Sequence, residues 1–187
     1  MAIANPQKHL TDIDEWRRLG EAGIFPPDNR LELINGEILE MSPIGCNHAG
    51  HLNRILNRLL NIVPGDMAIA SVQNPLQLGD LSEPEPDFML LKPNTDFYSA
   101  RHPDADDVLL LIEVSDSSLE FDRNQKMHLY ALHRIPEYWL LNLNEACVEI
   151  YRKPAGDLYA EKRTLTAGDS IILSELPEIR VDIGDLL

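Results

Sequence analysis

The chain is expected to fold as an α/β (α+β mixed) domain, a mixed central β-sheet flanked by α-helices. Three observations predict this. The segments CNHAGHLNRILNRLLNIV and FDRNQKMHLYALHR repeat apolar residues at helical spacing. Short apolar runs of strand length, MAIASVQ, PDFMLLK and EYWLLNLN, alternate with them. One further run, VLLLIEVS, is apolar nearly throughout, as a strand covered on both faces must be. The 187 residues show no internal repeat and no low-complexity linker, so one domain over 1–187 is the expectation.

The elements follow in order. TDIDEWRRLGEAG, with Thr11 or Asp12 as N-cap, predicts a helix over about 11–22 that leads into a proline turn at Pro26 and Pro27. LELINGEILEMS alternates apolar and polar residues around Asn35-Gly36, the dipeptide that supplies positive φ at both centres of a type I′ hairpin turn. The first long helix sets Leu52, Ile55, Leu56, Leu59 and Val63 on one stripe and turns Asn53, Arg54, Asn57 and Arg58 away, ending at Pro64-Gly65. VLLLIEVS is expected at the centre of the sheet. The second helix stops before Pro136, and EYWLLNLN pairs with CVEIYRKP around an Asn144 turn. A core over about 31–152 is thus followed by one or two small strands over about 158–187.

Composition narrows the function classes. Cys46 and Cys147 lie far apart and form no CxxC pair, which argues against a disulfide framework or a zinc site and fits a reducing cytoplasm. The start, MAIANPQKHLTDIDEW, lacks a signal-like apolar stretch, and VLLLI is too short to cross a bilayer, so a soluble cytoplasmic protein without membrane partners is expected. Sixteen Lys and Arg against 31 Asp and Glu give a net charge of -15, which repels polyanions at long range. Screening shortens that repulsion to about 8 Å at physiological salt, so a local patch drawn from Arg54, Arg58, Arg101 or Arg134 could still meet phosphate.

Several residues could carry chemistry. Glu113 and Ser115 project from the same face at the carboxyl end of VLLLIEVS, where open α/β sheets place their sites. A carboxylate beside so apolar a run calls for a metal, a base or a hydrogen-bond partner, unless it simply reaches water at the strand end. Asp87 follows Pro86 and so stands at the mouth of its strand, as a site residue or a turn residue. Two such carboxylates from neighbouring strands could hold one Mg²⁺, which takes about six oxygens at ~2.1 Å. Lys126 shares a helix face with Asp122 and Tyr130; it is either half of a surface ion pair or an amine aimed at a developing charge. His48 falls within the apolar stripe and points inward, as a core histidine or as a ligand. Glu32, in the first hairpin, is by itself a solvated strand residue.

Taken together, LELINGEILEMSP, His48, EPDFMLL, LLLIEVSDSS, Asp122 with Lys126 and Tyr130, and IPEYWLLN occur in one order. In that order the chain, from about Leu31 to Tyr151, resembles the Uma-two family of restriction-endonuclease-like proteins, a branch of the PD-(D/E)XK nuclease superfamily. The resemblance implies a restriction-endonuclease-like core that hydrolyses phosphodiester bonds of nucleic acid, DNA for preference, with Mg²⁺ or Mn²⁺ as the metal. Pro86-Asp87 matches the PD element, Glu113 the acid of the second element, and Glu32 the first-motif glutamate. His48 matches a histidine early in the first core helix, and Gln73 a polar residue before the NPL-like turn.

One departure is visible: the superfamily pattern would set a lysine two residues after Glu113, where this chain has Ser115. The family carries that lysine on the next helix, and Lys126 is the matching position. The expectation is that Asp87 and Glu113 bind Mg²⁺, that Lys126 steadies the attacking water or the added charge, that Glu32, His48, Ser115 and Tyr130 assist, and that Gln73 hydrogen-bonds a phosphate or a ligand. A homodimer, which would supply two sites for two strands, is expected, with the Tyr138-Trp139 hairpin as one candidate surface unless both rings belong to the core. Two readings compete: the same fold without catalysis, as a nucleic-acid- or protein-binding module, and a metal-free carboxylate pair acting on another substrate such as a glycoside.

Overall fold

The computed structural model describes residues 7–26 and 28–187, so Pro27 of the expected proline turn lies outside the described residues. The chain forms two compact units: the N-terminal part through Pro43 joined by Gln77–Pro84, and a larger one made of Ile44–Leu76 and Glu85–Leu187.

In the smaller unit, α1 spans Ile13–Glu21, and its N-cap Asp12 accepts the Glu15 backbone N–H at 2.8 Å. That bond satisfies one of the donors a first turn leaves open. Strands β1 (Leu31–Ile34) and β2 (Glu37–Glu40) pair antiparallel across Asn35 and Gly36, whose φ values are 51° and 77°. Both centres are left-handed, as the hairpin turn requires. Gly36 has a second reason to be glycine, because a Cβ there would lie 2.6 Å from Leu10 Cβ. The returning segment is tied in by Glu83, which bridges to Leu33 and accepts Trp16 Nε1 at 3.1 Å and Arg17 Nη2 at 2.6 Å.

In the larger unit, β3 (Ile69–Val72), β4 (Phe88–Leu91), β5 (Val108–Ser115), β6 (Glu137–Asn142), β7 (Cys147–Ala155) and β8 (Leu158–Leu165) form one sheet in that order. Every pair is antiparallel except β5 with β6. The sheet is therefore mixed, and β5 lies inside it with all eight residues buried, as its near-continuous apolar run predicts. Helix α2 (Cys46–Ile62) lays Leu52, Ile55 and Leu59 on the sheet face that carries Ile112, Val114 and Trp139. The opposite face carries Glu113 and Ser115, because side chains alternate along a strand.

The parallel β5–β6 connection is helical: α3 (Leu119–Phe121), a π-turn (Asp122–Lys126) and α4 (Met127–Leu132). The sequence predicts one regular amphipathic helix here; the π-turn is a departure, and nothing in DRNQK signals it. The C-terminal expectation also needs correction. β8 is an eight-residue edge strand of the main sheet, while β9 (Ser170–Ile172) and β10 (Arg180–Asp182) form a separate antiparallel pair. β8 is hard to read because an edge strand in solvent needs no apolar alternation.

Tyr138 and Trp139 take the core placement of the two that the sequence allows: both are fully buried and so offer no docking surface. Their polar atoms are satisfied inside, the Trp139 Nε1–H on Glu137 Oε1 at 2.7 Å and the Tyr138 hydroxyl on the Asp122 carbonyl at 3.1 Å. Of the four arginines offered to phosphate, Arg58 is half-buried and paired with Asp185, while Arg54, Arg134 and Arg101, the last paired with Asp107, are exposed. Among the described residues, no helix is long and apolar enough to cross a membrane.

Candidate active site

The site is built at the carboxyl end of β5. The β4–β5 register pairs Phe88 with Ile112, so one residue further Asp87 comes opposite Glu113. The Asp87 backbone N–H donates to Glu113 Oε2 at 3.2 Å, and the Val114 backbone N–H donates to Asp87 Oδ2 at 2.9 Å. The Glu113 carboxylate is thus held by the main chain of Asp87, and the Asp87 carboxylate by the main chain of the residue after Glu113. Pro86 ends the approach to β4 without a donor of its own, which leaves Asp87 outside the ladder and turned onto β5.

Asp87 Oδ1 accepts two side chains, His48 Nε2 at 2.9 Å and Gln73 Nε2 at 3.0 Å. His48 sits in the first turn of α2 and is half-buried. Gln73 follows β3 in the left-handed region, φ 50°, and its backbone N–H is shared by the Pro86 and Asp87 carbonyls. That backbone turn aims the amide back at Asp87. Burial pushes the Asp87 carboxyl up, but the His48 hydrogen bond and charge, the Val114 N–H and the Gln73 amide together hold it below its ordinary value of 3.8. Asp87 is an anion at neutral pH.

Glu113 turns its other oxygen toward the helix. Oε1 accepts the Lys126 ammonium at 3.0 Å and the Tyr130 hydroxyl at 2.6 Å. Lys126 is 2% exposed, Glu113 3% and Asp87 6%. A surface Asp122–Lys126 pair, the bland alternative, is not what forms. Asp122 instead accepts the Ser115 hydroxyl at 2.7 Å and the Ser118 hydroxyl at 2.6 Å. Asp87, Glu113, Lys126, His48, Gln73 and Tyr130 therefore share one hydrogen-bonded cluster, while Ser115 acts one step away through Asp122. Glu32 belongs to the smaller unit, where it is buried on β1 opposite Leu39.

Sequence reasoning missed the Val114 N–H, because a main-chain donor carries no residue signature, and Ser118, whose position four residues before Asp122 is the only hint. It offered Gln73 to a phosphate or a ligand; in the structure the amide donates to Asp87 Oδ1. Among the described residues, no group of three or more His, Cys, Asp or Glu is disposed to hold a metal ion. Two carboxylates facing each other across a strand pair do suit a hard cation that keeps most of its shell as water. The two carboxylates are donors of the kind Mg²⁺ takes, and Asp87 and Glu113 are the residues that would hold it.

Comparison with known proteins bears on this arrangement. A crystal structure of a "putative nuclease belonging to DUF820" from Anabaena variabilis superposes with a TM-score of 0.69, covering 90% of this chain and 96% of that one at 18% identity. It is a likeness of fold. Among curated proteins none matches. The family model described as "Putative restriction endonuclease" matches residues 13–184. With nearly its whole length inside that match, the chain belongs to the Uma2 family.

Proposed function

We propose that the protein is a divalent-cation-dependent endonuclease that hydrolyses phosphodiester bonds of DNA in the cytoplasm, with Asp87, Glu113 and Lys126 as its catalytic residues. The observation that carries this reading is one oxygen: Glu113 Oε1 receives Lys126 Nζ at 3.0 Å inside a buried cluster whose second carboxylate, Asp87, binds the same strand. A bound Mg²⁺, or Mn²⁺ in its place, would supply charge for the phosphoryl oxygens and a water of lowered pKa. Lys126 and Tyr130 fix the Glu113 carboxylate so that Oε2 faces Asp87. His48 and Gln73 hold Asp87 ionised and oriented. The Lys126 ammonium, brought in from the helix, stabilises charge that develops on the attacked phosphate. Family membership favours a nucleic-acid substrate, and the two units are taken to act as one domain because the family match spans both. A homodimer would bring two such sites to a duplex.

The test is cleavage of supercoiled, linear and single-stranded DNA with Mg²⁺, Mn²⁺ or chelator, comparing wild type with Glu113→Gln, Lys126→Ala and Glu32→Gln. Metal-dependent cleavage by wild type, lost in the Glu113 and Lys126 variants, supports the proposal. Loss in Glu32→Gln would extend it to the first-motif acid. Cleavage that survives chelator or Glu113→Gln contradicts it, and binding of DNA without cleavage favours a non-catalytic module.

A further inference from the structure

Lys126 reaches Glu113 from a helix that is irregular at the place where the lysine leaves it. Asp122 opens the π-turn that Lys126 closes, and it is held on three sides. Its Oδ2 accepts Ser115 Oγ at 2.7 Å and Ser118 Oγ at 2.6 Å, and its backbone carbonyl accepts the Tyr138 hydroxyl at 3.1 Å. Ser115 lies on β5, two residues beyond Glu113 and on the same face. The strand that presents the acid therefore also anchors the turn that presents the amine.

The π-turn has a geometric consequence. In an α-helix each residue advances about 100°, so Asp122, Lys126 and Tyr130, four residues apart, would fan over about 80°. Closing i to i+5 takes one more residue into the turn and absorbs about 100° of that advance. Tyr130 then returns to within about 20° of the line of Asp122. All three side chains are buried, whereas Asn124 and Gln125 within the turn are exposed. Burying an aspartate and a lysine in one turn is costly unless each has its own partner. Here the two serines satisfy one and Glu113 the other.

We propose that Asp122 is a positioning residue: pinned by Ser115, Ser118 and Tyr138, it sets the register of the π-turn and so places Lys126 Nζ on Glu113. The inference rests on Lys126 being the amine of the site, but it concerns placement and is read without cleavage.

The experiment uses metal-free full-length protein and follows the ¹³C NMR signal of Lys126 Cε, assigned with Lys126→Arg, together with thermal unfolding. Ser115→Ala/Ser118→Ala removes both hydroxyl donors and keeps the Asp122 charge. Deletion of Asn124, an exposed residue of the turn, removes the extra residue. In both folded variants the Lys126 signal is expected to move to the position of solvent-exposed lysines, while Ser115→Thr/Ser118→Thr, which keeps the hydroxyls, holds it at the wild-type position. Should the double variant lack a cooperative transition, Ser118→Ala alone, from a half-buried loop position, carries the same test with a smaller displacement. Where wild type cleaves DNA, kcat should fall about 100-fold in the double variant with little change in KM, as for a misplaced group near the reacting atoms. A Lys126 signal unchanged in the folded variants overturns the proposal. A signal that moves in a protein with no nuclease activity upholds the positioning role and removes the functional reading instead.

Discussion

Asp87 and Glu113 are joined by main chain as well as by proximity: the Asp87 amide N–H donates to Glu113 Oε2 at 3.2 Å, one position past the last β4–β5 rung. The side chain of each therefore depends on the backbone of the strand pair rather than on a loop. This is a rigid way to hold two carboxyl groups together, and each has a partner from outside the pair, Asp87 in His48 and Glu113 in Lys126.

Removing Glu113 should cost stability as well as activity. Glu113→Ala would take away the acceptor that a buried ammonium and a buried phenol share, a loss of about 3–5 kcal/mol by the usual cost of breaking a buried pair. The double variant Glu113→Ala/Lys126→Met should recover much of that, because the buried ammonium is gone with its acceptor. Urea unfolding of the two variants checks this. A single variant as stable as wild type would show that Lys126 finds another partner at no cost.

The pH dependence of Asp87 follows from its partners. Its carboxyl lies below 3.8 in the folded chain, so its contribution to stability is fully present above about 3.8 and is lost as pH falls through the lower folded value. His48→Ala removes the strongest of the bonds that offset burial, and the Asp87 carboxyl should then titrate at higher pH by NMR. Acid unfolding should begin at correspondingly higher pH. An unchanged Asp87 titration in His48→Ala would mean that Gln73 and Val114 suffice.

A second carboxylate, outside the site, contributes over an acid window of its own. Burial raises the Glu149 carboxyl, but hydrogen bonds from Arg123, Lys162 and Tyr151 outweigh it and hold the group at about 2, against an ordinary 4.5. Its stabilising contribution is complete above about 4.5 and disappears as pH falls toward about 2. Glu149→Gln should therefore be less stable than wild type at neutral pH, and the difference should shrink on acidification. Unfolding midpoints at pH 7 and pH 3 are the measurement, and a gap that stays constant would contradict the assignment.

Gly36→Ala should destabilise the first hairpin. The residue stands at φ 77° and its new Cβ would meet Leu10 Cβ at 2.6 Å, so the cost should exceed about 1 kcal/mol, beyond a simple glycine-to-alanine change. Hydrogen exchange at the amides of β1 and β2 would register it. Asn35→Gly, which eases the other left-handed centre, should leave exchange slow.

How much of this was legible follows the length scale of the cause. The Asn35-Gly36 turn, the α2 stripe and the buried β5 run are local patterns, and each occurs where its residues predict. The order of β4, β5 and the following helix, with Asp87, Glu113 and Lys126 upon them, was legible only as a joint pattern, since each residue alone admits a bland reading. The π-turn was not legible, because Asp122 to Lys126 are ordinary helix residues and the extra residue answers a tertiary demand: serines on and after β5 at one end, Glu113 at the other. Gln73 stands before its turn, but its bond to Asp87 was not legible, because its left-handed backbone, not its side-chain type, decides where the amide points. The burial of Tyr138 and Trp139 was similarly hidden, as aromatic residues in a hairpin suit a surface and a core equally.

The most direct measurement is Mn²⁺ binding followed by electron paramagnetic resonance on wild type, Asp87→Asn, Glu113→Gln and Lys126→Ala. One bound ion per chain is expected in wild type and Lys126→Ala, and its loss is expected in Asp87→Asn and Glu113→Gln. Binding that is equal in all four proteins, or absent from wild type, would contradict a cation held by Asp87 and Glu113.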